Sequence, residues 1–365
     1  MSTSSYRNFA NRRNRQIKRR LAKAAPLFND GGPTLGSGPV HFDTSERIRA
    51  IACGGIGVVH TLVNHLGLPQ AINERVHVLE RHMPYHESDH VLNIAYNGML
   101  GGTTLEDIEL RRNDPAYLDA LGAASIPDPT TEGDFTRRFT REDTHGLQEA
   151  FHQVRRKVWS AQPKGFLDTA VLDFDGTIAE TGARCKRGVD MSYKGKWGYH
   201  PLIVSLANTR EILWAVNRPG NAKSSQGFEE YVERSLELVR PFAKKILLRG
   251  DTDFYRAKAL DGWAGEADFV FGAKAYPALI QAAEGLEQKD WRRFERQPVY
   301  EVDKAAPRRK PEKIRDGIVK ERGYQTLKLR HEDISEFRYT PHGCQRDYRV
   351  VVVRKNISRQ QGEAM

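Results

Sequence analysis

Short apolar runs separated by polar turns dominate the middle of the chain. Runs of this length between turn signals favour buried strands, and apolar residues at helical spacing favour amphipathic helices. The pattern predicts an alternation of elements between residues 161 and 280. In order they are strands 170–174, 202–206 and 212–216, helix 227–239, strand 245–248, helix 255–263 and strand 268–271.

Three successive strands, followed by alternating helices and strands, are typical of an RNase H-like fold. In that α/β fold a mixed sheet is flanked by helices, and the first and fourth strands are neighbours. We therefore expect residues 161–280 to form such a core, with the ends of strands 170–174 and 245–248 side by side.

The region before this core has helical patterning. Apolar positions recur at helical spacing in 90–100, Thr103 and Glu106 have the spacing of a capping box, and 132–159 predicts one long basic helix. We expect residues 45–160 to form a helical, DNA-binding domain. Its histidines at positions 77, 82, 86 and 90 are interpreted as a histidine-rich surface rather than a metal site.

The region after the core is basic and β-rich. Residues 281–365 begin with a charged, irregular stretch and end in three predicted strands, 324–329, 336–339 and 349–354. We interpret this region as an insertion segment of the core.

Charge indicates a polyanionic partner. The chain has a formal net charge of +10 and a pI near 9.4, and residues 1–29 contain eight Lys or Arg and no acid. Residues 1–44 are predicted to form a disordered basic arm and linker that binds DNA phosphates. The three cysteines are far apart, no apolar stretch is long enough to cross a bilayer, and the N-terminus has no secretory signal. We therefore predict a cytoplasmic protein without a membrane partner.

Two apolar runs end in pairs of carboxylates beside a glycine. Asp173 and Asp175 surround Phe174 before Gly176, and Asp251 and Asp253 follow the run 246–248. Because Mg²⁺ prefers oxygen ligands and borrows one or two carboxylates, two such strands side by side predict a phosphoryl-transfer centre.

The motifs around these carboxylates resemble the insertion-sequence DDE transposases of the family numbered thirteen-eighty. The resemblance spans roughly residues 45–355. Its matching pieces are Leu100–Asp107, Asp173–Thr177, Gly198–Leu202, Arg218–Asn221 and Arg249–Phe254.

This resemblance implies an RNase H-like catalytic domain with two Mg²⁺ ions, for which Mn²⁺ can substitute, bound by Asp, Asp and Glu. It implies cleavage at the element's terminal inverted repeats, strand transfer into target DNA, a homodimer on DNA and association with the nucleoid. Asp175 and Asp251 would be the catalytic and metal-binding carboxylates. Asp173, which shares a strand face with Asp175, and Asp253 are further candidate metal ligands.

The sequence departs from the family at the third carboxylate. In the family, the Glu lies on a helix with a Tyr, an Arg and a Lys at fixed spacings. Two residues separate Tyr from Arg, three separate Arg from Glu, and six separate Glu from Lys. This chain lacks that pattern. Glu332, Glu336 and Glu363 do not have that context. We therefore expect a C-terminally truncated copy whose catalytic activity is in question.

Further basic and polar side chains are candidate DNA contacts. Lys194, Lys196 and His200 are expected near the scissile phosphate, and Arg218 and Asn221 near the DNA backbone, although ordinary surface charge explains them equally well.

A second enzyme class also fits the first motif. Residues 172–177 resemble the opening motif of haloacid-dehalogenase-type phosphatases, in which Asp173 would be the nucleophile and Asp175 the general acid and base. Ser205, Lys244 or Lys245, Asp251 and Asp253 would complete that site. The long basic region before the motif and the two strands directly after it favour the transposase.

A third possibility is not an enzyme. A chain with the basic arm and the helical domain could bind terminal repeats without cutting them, and its binding would then be sensitive to salt.

Overall fold

The computed structural model describes residues 53–80, 84–296 and 326–360, together with Arg15. The predicted basic arm, apart from Arg15, and much of the basic stretch after the core lie outside the described residues. Apart from Arg15, the described residues fall within one compact unit that begins at Cys53.

Short, individually capped helices make up the first part of this unit. Asp114 and Asp128 each precede a proline and accept hydrogen bonds from the first free backbone amides of the helix that follows. The helices are α1 (Ile56–Leu66), α2 (Leu68–Arg75), α3 (Glu87–Met99), α4 (Ile108–Arg112), α5 (Pro115–Leu121), α6 (Pro129–Arg137) and α7 (Arg141–Ser160).

Two details of the predicted helices were wrong. The single helix over 132–159 is in fact α6 and α7, because Thr140 begins a new helix by accepting from the backbone amide of Asp143. The capping box lies at Thr104 and Asp107 rather than one residue earlier, and it starts a 3₁₀ turn, Leu105–Asp107.

A buried polar cluster ties α3 to α6. The Glu132 carboxylate is fully buried, accepts from Asn93 Nδ2 at 2.5 Å and lies 3.1 Å from His90 Nδ1. The His90 ring stacks on Phe135 with a centroid distance of 4.4 Å. The interpretation of His90 as a surface residue was therefore wrong, and His82 lies outside the described residues.

The central sheet confirms the predicted RNase H-like α/β fold. Its strands are β1 (Thr169–Gly176), β5 (Leu202–Leu206), β6 (Glu211–Val216), β7 (Lys245–Gly250) and β8 (Asp268–Phe271), in the order β6-β5-β1-β7-β8. The β1, β5 and β6 strands pair antiparallel, whereas β7 is parallel to both β1 and β8. The first and fourth strands of this sheet are thus neighbours.

One face of the sheet carries the core. Leu172 and Phe174 on β1 are buried, and Phe174 meets Phe228 with a centroid distance of 6.0 Å. Because a strand alternates its faces, Asp173 and Asp175 belong to the opposite, more exposed face. The helices after the first three strands are α8 (Phe228–Val239), α9 (Ala257–Trp263) and α10 (Pro277–Glu284).

Two small sheets accompany the central one. Between β1 and β5 lie β2 (Ala179–Glu180), β3 (Asp190–Met191) and β4 (Trp197–Tyr199), in the order β2-β4-β3. Towards the C-terminus, β9 (Arg292–Phe294), β10 (Thr326–Tyr339) and β11 (Tyr348–Gln360) form a sheet in which β10 and β11 are one long hairpin. In the described part of the chain, every helix is too short or too polar to cross a membrane.

Candidate active site

The two predicted catalytic carboxylates come to the same end of the central sheet. In the parallel pairing of β1 with β7, Phe174 is aligned with Gly250, so Asp175 and Asp251 are the next residues on adjacent strands. Adjacent strands lie about 4.8 Å apart. Both residues are exposed, and no described residue pairs with the Asp175 carboxylate. Asp251 Oδ1 accepts only from the backbone amide of Asp253, at 2.8 Å.

Asp173 has a different environment. It is aligned with Arg249 on β7, and the guanidinium donates to both carboxylate oxygens, from Nε at 2.5 Å and from a terminal nitrogen at 2.6 Å. Such a fork is a strong, directional form of ion pairing, and it raises the pKa of Arg249. Both oxygens of Asp173 are therefore engaged, which disfavours it as a metal ligand and as a nucleophile.

Asp253 also has a basic partner. It lies past the end of β7, in the turn that follows Asp251, and its Oδ1 is 3.4 Å from Lys274 Nζ. Of the four predicted metal ligands, Asp173 and Asp253 thus contact a cationic side chain, whereas Asp175 and Asp251 contact none among the residues that the structure describes.

The donor chemistry at the strand ends fits a hard divalent cation. Two adjacent carboxylates with open oxygens match Mg²⁺, which keeps several waters and takes few protein ligands. Among residues 53–80, 84–296 and 326–360, no group of three or more His, Cys, Asp or Glu side chains is placed to hold a metal ion. Glu332 and Glu336 both lie on β10, where Arg296 and Arg349 pair with them. Glu363 lies outside the described residues.

A buried histidine supports the turn that follows Asp175. His200 is 1% exposed, and its Nδ1 donates to the carbonyl of Ala222 at 2.7 Å, so that Nε2 carries no proton in the neutral ring. A Cβ on Gly176 would lie 2.8 Å from that Nε2. The glycine after Asp175 is therefore required by the imidazole packed against it. The expectation that His200 lies near the scissile phosphate stays a prediction, but its burial means that it would act through packing rather than as an exposed contact.

Comparison with known proteins decides the family. The model for "Transposase DDE domain group 1" matches residues 49–362 of the chain. The chain belongs to this transposase family. No curated protein matches the sequence.

A solved structure of a piggyBac transposase synaptic complex with hairpin DNA also matches, at 10% identity and a TM-score of 0.34. The match covers 84% of this chain and 61% of the piggyBac chain, so this chain spans less than two thirds of that relative. A likeness this weak carries no argument about the site.

In this chain, a buried arginine ties together two loop segments, the turn at His200 and the stretch that precedes α8. Arg218 donates from Nε to the carbonyl of His200 at 2.9 Å, and from Nη1 to the carbonyls of Ser224 at 2.7 Å and Gln226 at 2.9 Å. Arg218 is 8% exposed, and burial lowers its pKa. The expectation that Arg218 contacts the DNA backbone was therefore wrong, because its contacts are internal.

The residues after Arg218 anchor the small sheet between β1 and β5. We call residues 177–199 the β2–β4 lobe. Gly220 donates its amide to the carbonyl of Gly188 at 3.1 Å, and Asn221 Nδ2 donates to Asp190 Oδ2 at 2.5 Å. A Cβ on Gly220 would lie 2.2 Å from the carbonyl oxygen of Asp190, so only glycine fits there. The Arg-Pro-Gly-Asn motif thus ties the β2–β4 lobe to the loop that follows β6.

Proposed function

We propose that this chain is an insertion-sequence transposase that cleaves the ends of its element and joins them to target DNA with divalent cations. Asp175 and Asp251 would hold the ions, Mg²⁺ with Mn²⁺ as a substitute. The observation that supports this best is the alignment of two open carboxylates at the ends of adjacent parallel strands. The chain's membership of a DDE transposase family adds to it.

When bound, the cations would supply Lewis acidity for the attacking water or 3′-hydroxyl and for the leaving oxygen. The residues of the chain contribute position and charge. Asp175 and Asp251 present negative charge at one point, while the Arg249 fork neutralises Asp173. That pairing limits the number of unpaired carboxylates that would repel a DNA phosphate approaching the site.

The phosphatase reading has less support. The Arg249 fork stabilises the negative charge on both oxygens of Asp173, which lowers their reactivity as a nucleophile. The strand that follows β1 in the sheet, β5, is also antiparallel to it, as we expect of an RNase H-like core.

The remaining assignments are part of the same proposal. Residues 45–160 would recognise the terminal inverted repeats, 161–280 would carry the chemistry, and two copies would pair the two ends. A chain with a net charge of +10 suits a DNA partner. We place it in the cytoplasm, on the nucleoid when it is bound to DNA.

A cleavage assay tests this proposal. The full chain would be incubated with labelled duplexes from the DNA that flanks its gene, with Mg²⁺, with Mn²⁺ or with a chelator. We expect metal-dependent cleavage that Asp175→Asn and Asp251→Asn abolish. Asp268→Asn, an exposed carboxylate on β8, is the matched control and should cleave normally.

The other outcomes point elsewhere. Cleavage that survives Asp175→Asn would refute the assigned site. Hydrolysis of p-nitrophenyl phosphate that is lost in Asp173→Asn would favour the phosphatase. Salt-sensitive binding to the terminal DNA, without cleavage under any metal, would favour a non-catalytic binding protein.

A further inference from the structure

The β2–β4 lobe carries an excess of exposed positive charge. Its cations number five against two acids, and all five are exposed: Arg184, Lys186, Arg187, Lys194 and Lys196. The two acids are both engaged, since Glu180 pairs with Lys196 and Asp190 accepts from Asn221. The charge of this surface is therefore complementary to a polyanion.

An aromatic side chain stands at the tip of the lobe. The turn between β3 and β4 closes through Ser192 and Lys196, with a 2.8 Å backbone hydrogen bond, and passes through Gly195 at a φ of 71°. It presents Tyr193 with 70% of its surface exposed, and Lys194 Nζ lies 5.3 Å from the centre of that ring. A single exposed tyrosine is ordinary on a protein surface, and the position of Tyr193 in the fold is what distinguishes it.

The tip lies close to the end of β1. The Tyr193 ring is 5.8 Å from the His200 ring, centroid to centroid, and His200 Nε2 packs against Gly176. One imidazole thus separates Tyr193 from the residue that follows Asp175. The hydrogen bonds from Gly220 and Asn221 fix the lobe in this place.

We propose that Tyr193 stacks on an unpaired base of the DNA strand held at Asp175 and Asp251, with Lys194 at a neighbouring phosphate. This inference rests on the proposed function. An aromatic platform beside cations is the arrangement with which proteins bind unpaired nucleotides, and it tolerates any base because every base has a π face. The β2–β4 lobe would thereby hold the strand open beside the carboxylates.

The test compares two DNAs in the absence of divalent metal. One is a duplex with a single unpaired 2-aminopurine, whose fluorescence falls when it stacks, and the other is the same duplex fully paired. For the DNA with the unpaired base, Tyr193→Ala is expected to raise Kd about tenfold and to restore the fluorescence. Tyr193→Phe should behave as the wild type, because it keeps the ring. Tyr276→Ala removes an exposed tyrosine elsewhere and is the matched control.

Each outcome decides the inference. A Tyr193→Ala variant that loses affinity only for the DNA with the unpaired base supports stacking. Equal affinity of wild type and Tyr193→Ala, or equal losses for both DNAs, overturns it. A wild type that cleaves terminal DNA with unchanged 2-aminopurine fluorescence overturns the stacking inference and leaves the proposed function intact. A wild type that neither binds nor cleaves any of these DNAs overturns both.

Discussion

Acidification should destabilise this protein through one buried histidine. His152 lies on α7 with none of its surface exposed, and its ring centre is 4.3 Å from that of Trp214 on β6. Its Nδ1 accepts from Arg155 at 2.5 Å, and among the described residues its Nε2 has no partner. Burial, followed by the nearby charges of Arg155 and Arg156, lowers the pKa of His152 to about 3.

The direction of this pH effect follows from the pKa of His152 in the folded and in the unfolded state. The ordinary pKa of 6.5 applies to the unfolded chain, and the folded pKa is lower, so the unfolded state binds the proton first. The stability contributed by neutral His152 is complete above pH 6.5 and is lost progressively as the pH falls towards about 3. At 1.36 kcal/mol per pH unit, lowering the pH from neutrality to about 4.5 should reduce the free energy of unfolding by about 2.5 kcal/mol.

Urea unfolding followed by circular dichroism measures this loss across the pH range. His152→Gln should be less sensitive to pH by that amount, since glutamine cannot be protonated. His65→Gln, at an exposed position on α1, is the matched control and should follow the wild type. Carboxylates whose pKa is lowered by hydrogen bonds, such as Asp107 and Asp128, have an ordinary pKa of 3.8, so they contribute chiefly below this window, and they are common to all three proteins. His60 and His145, whose pKa values burial also lowers, are common to all three proteins.

A shared loss of stability in the wild type and His152→Gln would contradict this prediction. If the wild type and His152→Gln lose stability in parallel between neutrality and about pH 4.5, protonation of His152 does not differ between the folded and unfolded states. The prediction is supported if His65→Gln and the wild type lose stability in parallel while the pH profile of His152→Gln is flatter.

Three further substitutions should act through packing or through buried hydrogen bonds. Gly176→Ala places its Cβ 2.8 Å from His200 Nε2, so it should lower the free energy of unfolding by about 1–3 kcal/mol and reduce DNA cleavage. Gly182→Ala, whose Cβ would lie in open space, is the control and should change neither the thermal unfolding nor the DNA cleavage. Arg218→Met leaves three loop carbonyls without their donor and should cost about 2–4 kcal/mol in urea unfolding; unchanged stability would contradict its bracing role. Glu132→Ala should cost about 2–4 kcal/mol in the same assay, because it removes the shared acceptor of a buried cluster; a loss below about 0.5 kcal/mol would contradict this.

The sequence predicted the central sheet well because its signal is long and regular. Apolar runs of five or six residues between turns locate β1, β5 and β6, and the order of elements then implies which strands are neighbours. The β2–β4 lobe was not predicted, since strands of two or three residues are too short to show alternation. The break between α6 and α7 was also missed, because helical periodicity continues through it and only the Thr140 cap marks the boundary.

The candidate site was predictable only in part. The carboxylate-glycine pattern led to Asp175 and Asp251, whereas the pairing of Asp173 with Arg249 depends on the register of β1 against β7, which no local pattern specifies. The roles of His200 and Arg218 were missed for a related reason. Both are polar residue types that usually lie at the surface, and their burial depends on loops that meet only in the folded chain.

The distribution of charge at the strand ends favours a cation at one point. Asp173 and Asp253 each have a basic neighbour, Arg249 and Lys274, and these pairs are close to neutral. Asp175 and Asp251 lie side by side without one among the described residues, so their carboxylates repel each other until a positive charge comes between them. If only the stability of the fold mattered, Asp175 and Asp251 would also be expected to have basic partners. Leaving them open costs little in water and keeps a binding position for divalent cations, which is why we propose that this pair, rather than all four acids, holds the ions.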